Sequence, residues 1–379
     1  MKIGIVCYPT FGGSGVVATE LGMALAAKGH EVHFISYSQP FRLDFFSGNL
    51  FYHEVSVNNY PLFEFPPYEI SLTSKLVDVV KHQKLDLLHV HYAIPHASAA
   101  YLAKQILKSM GIKIPYITTL HGTDISLLGR DASFRPVITF AIQESDAVTA
   151  VSEYLKQDTL RIFDVKNPIA VIPNFININN YGNPADKCYK SVYAPNQEKV
   201  LLHISNFRPV KRVGDVVRVF QKVREKVNAK LLLVGDGPER ANVETLVREL
   251  GVSQDVIFLG KIKAIEKVLC MSDLFLLTSE SESFGLSALE AMATGVPVIS
   301  TNTGGIPEVN YQGISGFLSN VGNVEEMSQN AIEILTNDEL SAKLQKGALS
   351  RAAEFNQDKI LPMYEALYEK TLLLSKNKH

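Results

Sequence analysis

The chain has 379 residues, of which 46% are hydrophobic and 20% charged, the composition of a packed globular protein rather than a disordered one. At about 150 residues per domain, that length makes two domains or three. Thirty-seven Lys and Arg against 39 Asp and Glu leave a formal charge of −2, so no general attraction to nucleic acid or to an anionic membrane exists, and any bound anion must be held locally.

Short apolar runs alternate with longer amphipathic stretches from the first residues onward. Residues 3–7 read as a strand buried on both faces, 16–28 as a helix stopped by Gly29, and 32–36 as the next strand. Helix 72–82, strand 86–92, helix 95–110 and strand 116–120 follow, then a helix near 135–144, strand 147–151 and a helix capped by Ser152. Residues 173–197, rich in Asn, Pro, Tyr and Gly, carry no period and read as a domain boundary. Alternation then restarts with strand 200–205, helix 212–227, strand 230–234, helix 239–250 and strand 256–259. Strand 274–278, helix 286–293 and strand 297–300 continue it, and after about residue 322 the chain is mainly helical, ending in an amphipathic stretch near 360–373. Apolar strands separated by helices make parallel sheets covered on both faces. The expected fold is therefore α/β, with two doubly wound domains in tandem and ligands beyond the carboxyl ends of the strands.

Cys7, Cys188 and Cys270 are odd in number and unpaired in spacing, which excludes a disulfide framework or a C-x-x-C metal site and fits a reducing compartment. The opening apolar run is cut by Pro9 and Gly12-Gly13, too early for a signal peptide or a spanning helix. A cytoplasmic protein without integral membrane contact is expected.

Four groups of residues carry chemistry. The loop from Thr10 through Phe11 to Gly15 opens the first helix, and its glycines let backbone N–H groups approach a ligand. Gly13-Ser-Gly15-Val-Val-Ala18 fits the G-x-G-x-x-A dinucleotide pattern, but the second strand ends in 34–37 without the acid that would hold a ribose. A structural turn and a site for another anionic ligand both stay open. Secondly, His91 and Tyr92 end one strand, and Thr118, Thr119 and His121 end another. Polar groups where a buried strand emerges point to a ligand, although for the threonines an ordinary strand role is as good a reading. Metal ligation by His121 is disfavoured, because no second His or carboxylate stands at ligand spacing.

Thirdly, Arg208, Lys211 and Arg212 crowd a helix start, where the macrodipole disfavours cations and a bound phosphate would resolve the conflict. A solvated basic loop is the bland alternative. Finally, Glu282 lies in a turn and Glu290 on a helix among Leu286, Ala288, Leu289, Ala291, Met292 and Ala293. A carboxylate there must accept hydrogen bonds, and ribose hydroxyls are suitable donors.

The Glu282–Glu290 pair, the Phe284-Gly285 turn, Gly304-Gly305-Ile306-Pro307-Glu308 and the early Gly-rich loop resemble the retaining nucleotide-sugar glycosyltransferases of the GT-B fold, family 4. The resemblance spans nearly the whole chain. It implies two Rossmann-like domains whose parallel sheets face a central cleft. Residues 1–175 would bind the acceptor, with helix 358–379 packing back on them, and 176–357 would bind the nucleotide sugar. It further implies that Glu282 sits by the donor sugar, that Glu290 binds the ribose, and that the cationic loop binds the pyrophosphate. The expected catalytic residues are His121, Lys211, Arg208 and Glu282. Donor contacts are expected from Gly15, Asn206, Ile262, Ser283, Phe284, Gly285, Leu286 and Glu290.

The family usually has an arginine where this chain has Asn206, five before Lys211. Arg208 is expected to supply the missing charge. His121 would contact the outer sugar hydroxyls or help carry developing positive charge.

Within the family, residues 7–15, 121–124 and 205–211 are similar to those of transferases that move N-acetylglucosamine from UDP-GlcNAc to the hydroxyl of L-malate, the first step of bacillithiol biosynthesis. That implies acceptor contacts from Ser14, Tyr92, Thr118, Arg135 and Asn174. No two aspartates stand two apart, so no D-x-D metal pair exists, and a metal-independent, cofactor-free reaction is expected. A homodimer is compatible with the sequence. The rival readings are a UDP-GlcNAc 2-epimerase on the same fold, a GT-B transferase with another small acceptor, and a two-domain solute-binding protein.

Overall fold

Strands that read as unbroken apolar runs are buried on both faces in two all-parallel sheets. The computed structural model describes residues 1–10, 12–43, 48–57, 65–181 and 189–377; Phe11, Cys188 and the last two residues of the expected 358–379 helix lie outside them. The chain divides into two compact units, one of Met1–Asn174 with Gln357–His379, the other of Phe175–Asn356.

In unit 1 the strands are β1 (Lys2–Val6), β2 (Glu31–Ser36), β3 (Leu50–Glu54), β4 (Leu87–His91), β5 (Tyr116–Leu120), β6 (Ala147–Ala150) and β7 (Ile169–Val171). They lie in the order β3-β2-β1-β4-β5-β6-β7. Helices cross between them, among them Gly13–Ala27, Tyr68–Gln83, Ser98–Ser109 and Arg135–Gln143. The hydroxyl of Ser152 accepts from the Leu155 N–H at 3.1 Å and caps helix Glu153–Ile162. The C-terminal helix Gln357–Asn377 belongs to this unit, where the Tyr368 hydroxyl lies 2.8 Å from His89 Nδ1.

Unit 2 holds β8 (Lys199–Ser205), β9 (Ala229–Gly235), β10 (Val256–Gly260), β11 (Leu274–Leu277), β12 (Val298–Thr301) and β13 (Gly316–Ser319), in the order β10-β9-β8-β11-β12-β13. Its core joins Leu201, Leu231, Leu233, Leu274 and Leu276 to Val216, Val219 and Phe220 of helix Val213–Arg224.

Three short strands, β3, β7 and β13, were not expected from the sequence; β3 and β7 are the two edges of one sheet and β13 an edge of the other. The expected helix at 95–110 starts three residues later, because Ile94 precedes a proline and takes extended angles (φ −128°, ψ 141°). No helix among the described residues is long and apolar enough to cross a membrane.

The strand order reverses between β1 and β4 in unit 1 and between β8 and β11 in unit 2. Such switch points leave a crevice beyond the carboxyl ends of the strands, where doubly wound folds bind ligands. The loops beside the second crevice are held by close backbone approach. Gly235 has φ +118°, and a Cβ on it would stand 1.7 Å from the Ser205 carbonyl oxygen; one on Gly237 would stand 2.1 Å from that of Asn206. Gly235→Ala is expected to cost about 3 kcal/mol and to lower the melting temperature by roughly 10 °C. Thermal unfolding checks this, and an unchanged melting temperature would contradict the contact.

Candidate active site

At the β8/β11 switch point the chain brings its cationic loop onto its acidic turn. Lys211 ends the short 3-10 turn Pro209–Lys211, and its Nζ lies 2.5 Å from Glu282 Oε1. Ser279 Oγ donates to the same oxygen at 2.8 Å. Backbone bonds fix the two loops: Glu280 N–H donates to the Val210 carbonyl (2.8 Å), and Thr278 Oγ1 donates to the carbonyls of Lys211 and Arg212 (3.1 and 3.0 Å). The loop after β12 joins them, since Gly305 N–H donates to the Glu282 carbonyl at 2.8 Å. Gly304 has φ +64°, and a Cβ there would meet that carbonyl oxygen at 2.0 Å, so only glycine fits the turn.

Glu290, on helix Leu286–Ala293, is buried, and the Tyr181 hydroxyl donates to its Oε1 at 3.1 Å. Gly285 precedes that helix at φ +96°. Arg208 and Asn206 are exposed in the loop, and no ion pair engages Arg208 among the described residues. Ile262 is partly buried just beyond β10.

At the β1/β4 switch point of unit 1, Tyr92 Oη donates to Ser14 Oγ at 2.6 Å, tying the loop after β4 to the start of the first helix. Tyr92 holds φ +88°, a strained conformation for a residue with a side chain. Gly15 admits no Cβ, which would lie 2.6 and 2.7 Å from the carbonyl oxygens of Thr10 and Tyr8. His121 Nε2 lies 2.8 Å from His91 Nδ1. The Ala93 N–H donates to Asp124 Oδ2 at 2.7 Å, joining the loops after β4 and β5.

Burial sets the charges here. It pushes the His121 imidazole down to about 3, with His96 adding a smaller push, and His96 itself down to about 4. His89 goes to about 3 and His91 well below the ordinary value, while burial raises Asp124 to about 6. Neutral His121 fits contact with hydroxyls.

These shifts predict how stability depends on pH. The unfolded chain protonates its histidines near pH 6.5 and the folded one does not, so stability is lost as pH falls below that value, by roughly 1 kcal/mol per buried histidine per pH unit. Asp124 acts oppositely, since its folded form takes up a proton first, but it offsets only one of His89, His91, His96 and His121. Melting temperature should therefore fall steadily from pH 7 to pH 5; a flat profile would contradict the burial of neutral imidazoles.

Two expected contacts need correction. Thr118 is fully buried within β5, and its hydroxyl lies 2.7 Å from Ser145 Oγ; the hydroxyl serves the core and is not offered to an acceptor. Phe284 points into the core, its ring 5.4 Å from that of Phe355 and nearly perpendicular to it, so only its backbone is available to a donor. Of the rest, Ser14 and Tyr92 meet. Arg135 is exposed at the start of its helix, with Nε on the Gly129 carbonyl at 3.1 Å, and Asn174 is buried at the end of its unit's first segment. Ser283 and Leu286 flank the turn between Glu282 and Glu290. The sequence reading missed Tyr181, Ser279 and Asp124 as partners of the site. A hydroxyl three residues before Glu282 was a local cue for Ser279; Tyr181, 109 residues from Glu290, left none.

Comparison with known proteins agrees with this geometry. Residues 11–180 match the family Glycosyltransferase Family 4, and residues 189–351 match Glycosyl transferases group 1. The chain is 48% identical over 379 residues, all of this chain and 99% of the relative, to an N-acetyl-alpha-D-glucosaminyl L-malate synthase of Bacillus anthracis. It is 29% identical over 84% of both chains to an uncharacterized glycosyltransferase of Methanocaldococcus jannaschii. Among solved structures, a sucrose-phosphate synthase of Thermosynechococcus elongatus superposes with a TM-score of 0.81 at 21% identity, covering 98% of this chain and 99% of the other. Anabaena Alr3699/HepE, solved in complex with UDP and glucose, gives 0.79 at 19% identity over 98% and 100%. These two share the fold.

Proposed function

Because the chain belongs to the family 4 glycosyltransferases, we propose that it moves N-acetylglucosamine from UDP-GlcNAc to the hydroxyl of L-malate with retention at the anomeric carbon. The observation that carries the donor half is the meeting of Lys211, Glu282 and Ser279 beside buried Glu290 at a switch point. The likeness to the Bacillus anthracis synthase over the full chain carries the acceptor half. Glu290 accepts the ribose hydroxyls, competing with Tyr181. Glu282 lies by the sugar, on a turn held by the Gly305 N–H.

The reaction needs charge stabilisation more than a strong base. As the anomeric bond to UDP breaks, negative charge grows on the β-phosphate, and Lys211 with Arg208 meets it. The departing oxygen then takes the malate hydroxyl proton on the same face of the sugar. His121 contacts the sugar hydroxyls as a neutral imidazole. Ser14, Tyr92, Arg135 and Asn174 are proposed for the dicarboxylate. Cations in place of a metal should leave turnover unchanged in EDTA; activity lost to EDTA and restored by Mg²⁺ would contradict this. The proposed setting is the cytoplasm.

A panel of small hydroxy acids offered with UDP-GlcNAc, with products identified by mass and anomeric coupling, tests the proposal. The expected product is the α-linked GlcNAc of malate. Conversion of UDP-GlcNAc to its C2 epimer without any acceptor would favour the epimerase, and sugar binding without turnover would favour a binding protein.

A further inference from the structure

His91 is placed to decide which nitrogen of His121 carries the proton. Three facts fix the logic. His91 Nδ1 and His121 Nε2 are 2.8 Å apart, with the rings inclined by only 23°. His91 Nε2 is buried and has no hydrogen-bond partner among the described residues. No hydrogen bond engages His121 Nδ1 among the described residues, and residue 121 is partly exposed.

A neutral imidazole has one N–H and one acceptor nitrogen. If His91 carried its proton on Nε2, that N–H would be orphaned in the core; if on Nδ1, only a lone pair goes unused. Orphaned buried N–H groups are the rarer and costlier case. His91 is therefore the Nδ1–H tautomer and donates to His121 Nε2, which leaves His121 its proton on Nδ1. Its neighbours hold this arrangement in place. The His89 ring stacks on His91 at 4.6 Å, with its own nitrogens on Tyr368 and Thr119 (2.8 and 2.7 Å). Nδ1 of His96 meets the His91 backbone carbonyl, an acceptor only, so His96 is also an Nδ1–H tautomer.

We propose that His91 is a positioning residue that locks His121 as its Nδ1–H tautomer, so that the nitrogen His121 presents away from His91 is a hydrogen-bond donor. That donor suits a hydroxyl or phosphate oxygen of a nucleotide sugar. It also excludes His121 as the base for the acceptor proton at that nitrogen. The second part rests on the function proposed above; the tautomer itself does not.

The test is the long-range 1H–15N spectrum of the full-length, 15N-histidine-labelled protein, with His121 assigned by the loss of its signals in His121→Gln. The expected spectrum shows His121 protonated at Nδ1 and bare at Nε2. His91→Leu should free the tautomer and lower kcat about 10-fold, the loss of one hydrogen bond, with a smaller change in KM for UDP-GlcNAc. His91→Asn, whose amide can occupy the Nδ1 position, should restore both. A wild-type His121 protonated at Nε2, or a tautomer unmoved in His91→Leu, would overturn the proposal. If the Nδ1–H form is seen but UDP-GlcNAc leaves the His121 signals unmoved, the placement of His121 at the donor fails while the tautomer assignment holds.

Discussion

Replacing Lys211 by Met is expected to lower kcat by about 10²–10³-fold, the usual effect of removing a cation or donor aimed at charge that develops in the transition state. The expectation follows from position. The ammonium lies on Glu282, held there by a loop whose carbonyls bind Thr278 and whose neighbour Val210 binds the Glu280 N–H. With no UDP present, Glu282 and Lys211 neutralise each other; a diphosphate would draw the ammonium toward itself and leave Ser279 to hold the carboxylate. KM for the acceptor should move little, which separates this effect from general damage. Arg208→Ala should give a similar but smaller loss, because Arg208 is exposed and its charge is screened. If Lys211→Met turns over normally, the leaving-group charge is met elsewhere.

The second large effect is expected at Glu290. Its carboxylate is buried and shares the Tyr181 hydroxyl, and hydrogen bonds to a charged group contribute about 1.5–3 kcal/mol each. Glu290→Ala should weaken UDP binding by about 10²–10⁴-fold, as two such ribose contacts are lost. Titration calorimetry with UDP measures this. Glu290→Gln, which keeps the shape but not the charge, should lie between the two. Undiminished affinity in Glu290→Ala would place the ribose elsewhere.

Why these residues were legible follows from where they lie. Central strands in a covered sheet are buried on both faces, so the β-branched and apolar run 116–120 could be read to the residue, as could the helix 286–293 after the Phe284-Gly285 turn, and the groups that end central strands gather at the two switch points. A carboxylate among Leu, Ala and Met on a helix announces that something must satisfy it. Edges were harder: β3 (Leu-Phe-Tyr-His-Glu) is half exposed and makes no apolar run, and β7, though apolar (Ile-Ala-Val), spans only three residues. Adjacent strand residues face opposite sides, which sends the Thr119 hydroxyl to His89 and Thr149 and the Thr118 hydroxyl to Ser145. Composition cannot assign the two sides. Phe284 misled for a related reason, since a turn residue can face either a ligand or the core. Tyr181 comes from a segment without periodicity, so its bond to Glu290 exists only in the folded chain.

The most direct test is a crystal structure of this chain grown with UDP. The ribose is predicted to lie on Glu290, with the diphosphate between Lys211 and the exposed guanidinium of Arg208, and with the Glu282 carboxylate turned from the ammonium. UDP seated away from both Glu290 and Lys211 would contradict the account.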